Sequence, residues 1–436
     1  MREALSGLTV RGRAFLAAGI TAVVCAVLLG QPTLTRVGVL VAALPLLTAA
    51  ALGRSRYRLA LVRSVTPQTV TAGQPASVQL TMTNEGRTPS GVLMLEDHVP
   101  DVLGTRPRFV LDGIGHGWGR HATYQVRSDV RGRYEIGPMS VRVSDPFGLV
   151  ELGRSFRSTA SLTVTPRTMP LPPIPLGGAW TGSGDNRPRA FAIGSAEDVT
   201  VREYRRGDDL RRVHWRSSAR VGELMVRREE QPWQSRATLF VDNRLSAHQG
   251  QGIASSLEAA VSAAASVAVH LGQRGFTVRL VTASGDDLST TWHTRDPELN
   301  TRAMLEALAV VQPVTNTRIE TNWLAESTHG GLLLAVIGAI TEADGPMLRR
   351  MHHHAGTALA VALDVSAWAP ASGAGLGLMA NSARPLLIRQ GWRAVTMRPR
   401  DRLDLVWQDL GRTSAHAARS GSAPSNEVRP VTQGTR

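Results

Sequence analysis

Residues 237–282 read ATLFVDNRLSAHQGQGIASSLEAAVSAAASVAVHLGQRGFTVRLVT. The stretch opens with a mostly apolar run, 238–242, that ends in Asp242. In 253–271, Ile253, Leu257, Val261, Ala264, Val267 and Leu271 recur at intervals of three and four, the spacing of one buried helix face. A second apolar run, 276–282, follows. Strand, amphipathic helix and strand in this order predict parallel strands joined by a crossover helix. Downstream, 304–311 and 344–354 read as helices, 331–338, 358–363 and 393–397 as strands, and 402–410 closes the series. The expectation for 237–410 is a doubly wound, mainly parallel sheet with helices on both faces. Such sheets bind ligands at the carboxyl ends of their strands.

The whole chain has 436 residues, enough for two or three domains, and its 42% hydrophobic content supports a large core. The formal net charge is +14, and every one of the 49 basic residues is Arg. A basic surface favours anionic partners such as lipid headgroups, nucleic acid or acidic proteins. The single cysteine, Cys25, excludes an internal disulfide.

Upstream, residues 1–56 predict a membrane anchor. Residues 14–35 and 37–53 carry no charge, and each run is near the ~20 residues that a helix needs to cross the hydrocarbon core. The connector 31–36 is short, so the runs form a helical hairpin. Arg2, Arg11 and Arg13 precede it, Arg54, Arg56, Arg58 and Arg63 follow, and only Arg36 lies in the turn. The positive-inside rule then places both ends, and all that follows, on the cytoplasmic side of a two-pass protein. A cleaved signal peptide would explain the first run but not the second.

Residues 57–168 alternate apolar and polar residues, as in SVQLTMT at 77–83, with further strands at 91–95, 123–126, 139–143 and 161–164. Turn residues at 112–113, 129–132 and 145–146 separate them, which predicts an antiparallel β-sandwich serving as spacer or docking platform. Residues 169–194, rich in Pro and Gly, predict an extended, semi-mobile linker.

The densest mixture of charge lies between linker and α/β domain, in the segment 195–236. Residues 201–228 read VREYRRGDDLRRVHWRSSARVGELMVRR. Gly207 permits a tight turn, and Asp208 suits the N-cap of a short helix over 210–215. That helix would turn Leu210, Val213 and Trp215 to a core and Arg211, Arg212 and Arg216 outward; 221–228 reads as a strand or hairpin arm. The acidic residues Glu203 and Asp209 can pair with arginines bidentately, making the segment a structural ion network. It also reads as a docking surface for a protein or, less readily, as a site for phosphate or nucleic acid. Asp208 and His214 could serve acid–base chemistry, but no nucleophile or oxyanion donor can be placed beside them.

The constellation Tyr204, Gly207-Asp208-Asp209, Arg211-Arg212, His214-Trp215 and Ser218-Ala219-Arg220 resembles the domain of unknown function 58 family. The upstream run Arg131-Gly132, Tyr134, Ile136-Gly137-Pro138 and Asp145-Pro146-Phe147-Gly148-Leu149 is similar to that family too, as are the two apolar runs. The resemblance implies a bacterial membrane-tethered accessory protein with a von Willebrand factor A-like domain, working beside a MoxR-type AAA ATPase. It brings no catalytic activity with it.

Metal-binding von Willebrand A domains carry Asp-x-Ser-x-Ser at the end of their first strand, whose oxygens hold a hard cation such as Mg²⁺. The corresponding residues are Asp242-Asn243-Arg244-Leu245-Ser246. Asp242 and Ser246 match as weak candidate ligands, but Arg244 brings positive charge to the cation's place, and Asp344 comes later in sequence than the pattern wants. Arg244 is expected to pair with Asp242 and replace the ion, leaving no cofactor. His352, His353 and His354, about 100° apart around a helix, cannot converge on one ion. Residues 411–436, rich in Ser, Gly, Pro and Arg, predict a disordered tail. The chain thus reads as a non-enzymatic scaffold or adaptor. The alternatives are a divalent-metal-dependent binder of protein ligands, and a nucleic-acid binder or enzyme built on the Arg-rich segment.

Overall fold

The computed structural model describes residues 7–54, 59–86, 92–111, 115, 117–145, 147–176, 200–204, 213, 215–228, 236–288, 296–326, 331–368 and 383–420. The chain divides into two compact units, Met1–Arg167 with Leu305–Gln312, and Thr168–Met304 with Pro313–Arg436.

Unit 1 begins with α1 (Val10–Leu28) and α2 (Pro32–Arg54), both long and apolar enough to cross a membrane. Thr9 caps α1, its side chain accepting from Gly12 N–H at 3.1 Å. The connection is only 29–31, shorter than the expected 31–36, because Pro32 opens α2. Proline suits a first helical position, where the amide would have no partner anyway. The helices touch through small residues: a Cβ on Gly19 would lie 2.5 Å from the Ala42 nitrogen. Ile20, Val24, Val27, Val39, Leu40 and Leu47 are exposed.

Ten strands follow: β1 (Leu59–Thr66), β2 (Thr69–Thr71), β3 (Pro75–Asn84), β4 (Leu93–Asp97), β5 (Arg108–Leu111), β6 (Gly119–Arg127), β7 (Gly132–Ile136), β8 (Met139–Ser144), β9 (Glu151–Phe156) and β10 (Ala160–Thr165). They form sheets β1-β3-β6, β2-β10-β7 and β5-β4-β8-β9 around one core. The period-two pattern works as read: Val78, Leu80 and Met82 of β3 are buried, and their neighbours less so. Pairing is antiparallel except between β2 and β10, which run parallel, so the expected antiparallel sandwich holds one parallel ladder. β1 was hidden by Arg63 at its centre. This arginine is buried against Asp97 at 2.5 Å, whose other oxygen accepts from Tyr124 Oη at 2.6 Å. Burial, and then the Asp97 hydrogen bond, pushes the Tyr124 pKa far above its ordinary value.

Unit 2 opens with 168–176, which is bound rather than semi-mobile. Leu171 and Ile174 are buried, Trp407 Nε1 donates to Pro172 O at 3.0 Å, and Met169 N donates to Ser266 Oγ at 3.0 Å. The apolar residues between the prolines supply a buried face that composition alone conceals. The rest of the expected linker, 177–194, lies outside the described residues.

β11 (Thr200–Glu203) and β12 (Met225–Arg228) form an antiparallel pair, with α3 (Trp215–Val221) between them in sequence. Then come β13 (Arg236–Val241), α4 (Ser256–Gln273), β14 (Thr277–Thr282), α5 (Pro297–Ala309), β15 (Leu332–Ile337), α6 (Gly345–His354), β16 (Thr357–Leu363), α7 (Ala383–Arg389), β17 (Arg393–Met397) and α8 (Leu403–Ser420). The sheet is parallel throughout, in the order β14-β13-β15-β16-β17. β14 and β15 are buried along their whole length, as a sheet covered on both faces requires. The order reverses at β13, and the carboxyl ends of β13 and β15 flank that switch point. α8 runs to Ser420, past the expected start of a disordered tail at 411. The run 413–420 contains no Pro or Gly, and Ala415, Ala417 and Ala418 favour continued helix.

Candidate functional site

The carboxyl end of β13 delivers Asp242, Asn243 and Arg244 in succession, all buried, with Asp242 0% exposed. The backbone here is held on both sides. Asp242 N donates to Val336 O at 3.0 Å, Leu245 N to Val314 O at 2.8 Å, and Ala283 N to Asn243 Oδ1 at 3.1 Å. Gly338, just past β15, lets the chain approach: a Cβ there would lie 2.1 Å from Ala247 O.

Arg244 folds back over the strand end. Its Nε donates to Asp242 Oδ1 and its Nη2 to Asp242 Oδ2, each at 2.9 Å, a bidentate fork. Nη1 donates to Asp344 Oδ1 and to Thr317 O, each at 3.1 Å, and Nη2 reaches Ala339 O at 3.4 Å. Asp344 is held in turn, its Oδ2 accepting from Thr341 N at 2.9 Å and Thr341 Oγ1 at 3.2 Å. Burial works against the charge of Arg244, but the hydrogen bond and charge of Asp242, then Asp344, outweigh it and raise the pKa above its ordinary value. The guanidinium is thus a fixed cation between two carboxylates.

His248 seals the other side of Asp242. Its Nε2 lies 2.6 Å from Asp242 O, so that nitrogen carries the proton and donates, while Nδ1 accepts from Ser256 Oγ at 2.9 Å. Burial lowers the His248 pKa, partly opposed by the bond to Asp242 O. The ring is therefore neutral near pH 7.

This arrangement does not fit a divalent cation. Both Asp242 oxygens and one Asp344 oxygen are engaged by Arg244, whose charge stands where the ion would. Ser246 is exposed, unlike buried Asp242. Among the described residues, no group of three or more His, Cys, Asp or Glu side chains could hold a metal. Asp344, later in sequence than the cation pattern wants, is brought to Arg244 by the loop 338–344. The run Thr341-Glu342-Ala343-Asp344 forms a capping box, and the Thr-x-x-Asp spacing was the legible signal for it. His248 left no such mark.

The Arg-rich segment is differently built. Gly207, Asp208, Asp209, Arg211 and His214 lie outside the described residues, as does the proposed helical stretch 210–212. Val213 is buried as expected. The described helix of this segment is α3, Trp215–Val221, and none of its residues is buried. Trp215 is 71% exposed, so the expectation that it faces a core is corrected. Val221 and Leu224 are exposed beside it in sequence, with Arg216, Ala219 and Arg220 exposed on α3. Ser218 turns the chain back, its Oγ accepting from Met225 N at 2.8 Å. Gly222, at φ +84°, lets its N–H reach Ser218 O at 2.9 Å and stop the helix. Tyr204 N donates to Leu224 O at 2.7 Å, extending the β11–β12 ladder. An exposed tryptophan framed by arginines and aliphatic side chains on a closed hairpin has the composition of a binding hot spot.

The chain matches no curated protein. Among solved structures it is similar to the CARDB domain of PF1109 from Pyrococcus furiosus, at 16% identity over 25% of this chain and 94% of that one, with a TM-score of 0.20. It is also similar to a β-glucosidase from Listeria innocua, at 12% identity over 25% of this chain and 16% of that one, with a TM-score of 0.16. Likenesses this slight bear no argument. The sequence match is firmer: residues 200–372, which include the hairpin, Arg244 and Asp344, match the family described as "Protein of unknown function DUF58".

Proposed function

We propose that the protein is a membrane-anchored, non-enzymatic adaptor whose soluble part lies in the cytoplasm and docks a protein partner through the hairpin 200–228 and the von Willebrand A-like α/β domain. The observation that carries this reading is the exposed Trp215, with Val221, Leu224, Arg216 and Arg220, on a hairpin closed by Ser218 and Gly222. Two apolar helices with outward aliphatic side chains support a two-pass anchor. The arginine balance across the hairpin supports cytoplasmic ends. The partner that the family resemblance implies is a MoxR-type AAA ATPase or its client.

Docking on this reading needs no divalent ion, because Arg244 supplies the positive charge at the strand ends. Purification of the full chain from detergent-solubilised membranes, in EDTA, tests the proposal. The ATPase should accompany the wild type and be lost, by tenfold or more, with Trp215→Ala. A preparation without ATPase, or one that needs Mg²⁺ for its recovery, contradicts it.

A further inference from the structure

Two exposed aromatic side chains stand on the β-domain near the start of α1 and the start of β1: Phe147 is 61% exposed and Trp118 is 70% exposed. Phe147 stands in the turn between β8 and β9, which is folded by Asp145. One oxygen of Asp145 accepts from Phe147 N at 3.0 Å and the other from Val150 N at 2.6 Å. This turn is tied to the start of α1. Thr9 N donates to Leu149 O at 2.9 Å, Thr9 Oγ1 to Gly148 O at 2.7 Å, and Glu151 N to Gly7 O at 2.8 Å. Trp118 leads into β6, and its carbonyl accepts from Asn84 N at 3.2 Å. Asn84 faces Leu59, the first residue of β1, which follows α2 in the chain. Phe147 thus lies beside the start of α1, and Trp118 beside the strand that faces the start of β1.

The reach of the helices gives this edge its meaning. Gly12 is buried against Leu149, and Ala49 belongs to the β-domain core, with Leu8 and Leu44 packed on it. Only about 13–28 of α1 and 32–43 of α2 project beyond the residues packed on that core, roughly 24 and 18 Å at 1.5 Å per residue. The hydrocarbon core is about 30 Å thick. A hairpin of this reach cannot cross that core with the β-domain held off the membrane, so the edge of the β-domain must settle into the interfacial layer. The edge suits that layer: Arg11, Arg13 and Arg120 are exposed on it, ready for lipid phosphates, and indole and phenyl rings partition there.

We propose that this edge of the β-domain rests in the headgroup layer, with Trp118 and Phe147 as interfacial anchors, a third membrane contact beside the two helices. The inference rests on the two-pass anchor proposed above, and its test separates the two. In the full chain with Cys25→Ala, single cysteines are placed by Phe147→Cys, Trp118→Cys or Val130→Cys and labelled with an environment-sensitive fluorophore. Val130 lies beyond the far end of β6, which is about 30 Å along the strand from Trp118. Each protein is reconstituted into phosphatidylcholine–phosphatidylglycerol vesicles containing a headgroup-nitroxide lipid. Flotation with the vesicles after carbonate washing reports the helical anchor. Quenching by half or more at 147 and 118, with under a tenth at 130, is the expected result. Floating protein in which 147 and 118 are quenched no more than 130 overturns the inference and leaves the helical anchor standing. Protein that fails to float overturns both.

Discussion

Replacing Arg244 by methionine keeps most of the side-chain volume and removes the charge between Asp242 and Asp344. Asp242 has no solvent contact to fall back on, and it loses two hydrogen bonds of 2.9 Å. Two unit charges about 4 Å apart attract by about 4 kcal/mol at an effective dielectric of 20. Breaking a buried pair on one side costs about 3–5 kcal/mol. At ~1.36 kcal/mol per decade this is roughly two to four decades in the opening equilibrium of the strands around the site. Hydrogen exchange of the full chain in detergent, read by mass spectrometry on peptides covering β13 and β15, measures it directly. Adding Asp242→Asn and Asp344→Asn to Arg244→Met should recover most of the protection, since no unpaired charge is left. Protection within threefold of wild type for Arg244→Met at pH 7 would refute the reasoning.

Two further predictions concern the same site. Arg244→Ser gives the order Asp-x-Ser-x-Ser, and its melting temperature should rise with Mg²⁺ while the wild type does not respond. A tenfold excess over Kd contributes about 1.4 kcal/mol, or roughly 3–6 °C; a variant indifferent to Mg²⁺ and to EDTA speaks against a cation position. His248, neutral in the fold with a lowered pKa, contributes stability above the unfolded value of ~6.5, and this is lost as pH falls below it. The melting temperature should therefore drop between pH 7.5 and 5.5, and His248→Gln, which can still donate to Asp242 O, should flatten part of that slope. An unchanged slope would place the titration elsewhere.

The parallel sheet was legible because its strands are unbroken apolar runs and α4 carries a clean apolar stripe. Strands that broke this rule were not: Arg63 sits inside β1 because Asp97 awaits it across the core, and β9 has no buried residue to show alternation. The pairing of Arg244 with Asp242 could be read from adjacency alone. Asp344 could not, because a hundred residues separate the partners and only the folded loop after β15 closes the distance. Composition misled at both flanks of unit 2. The prolines of 169–175 concealed Leu171 and Ile174, and the Ser- and Arg-rich end concealed the last turns of α8. Trp215 misled for the opposite reason, since aromatic residues in a helix are more often buried than displayed.

The adaptor reading stands on the hairpin around Trp215 as a docking face. A photoreactive phenylalanine analogue introduced at Trp215 in the full-length protein, crosslinked in intact cells, tests it most directly. The expected principal adduct is a MoxR-type AAA ATPase or its client; it should persist after chelation of divalent ions and fall with Leu224→Ser. Adducts to lipid alone, or none above the level of the same probe placed at exposed Val130, would contradict it.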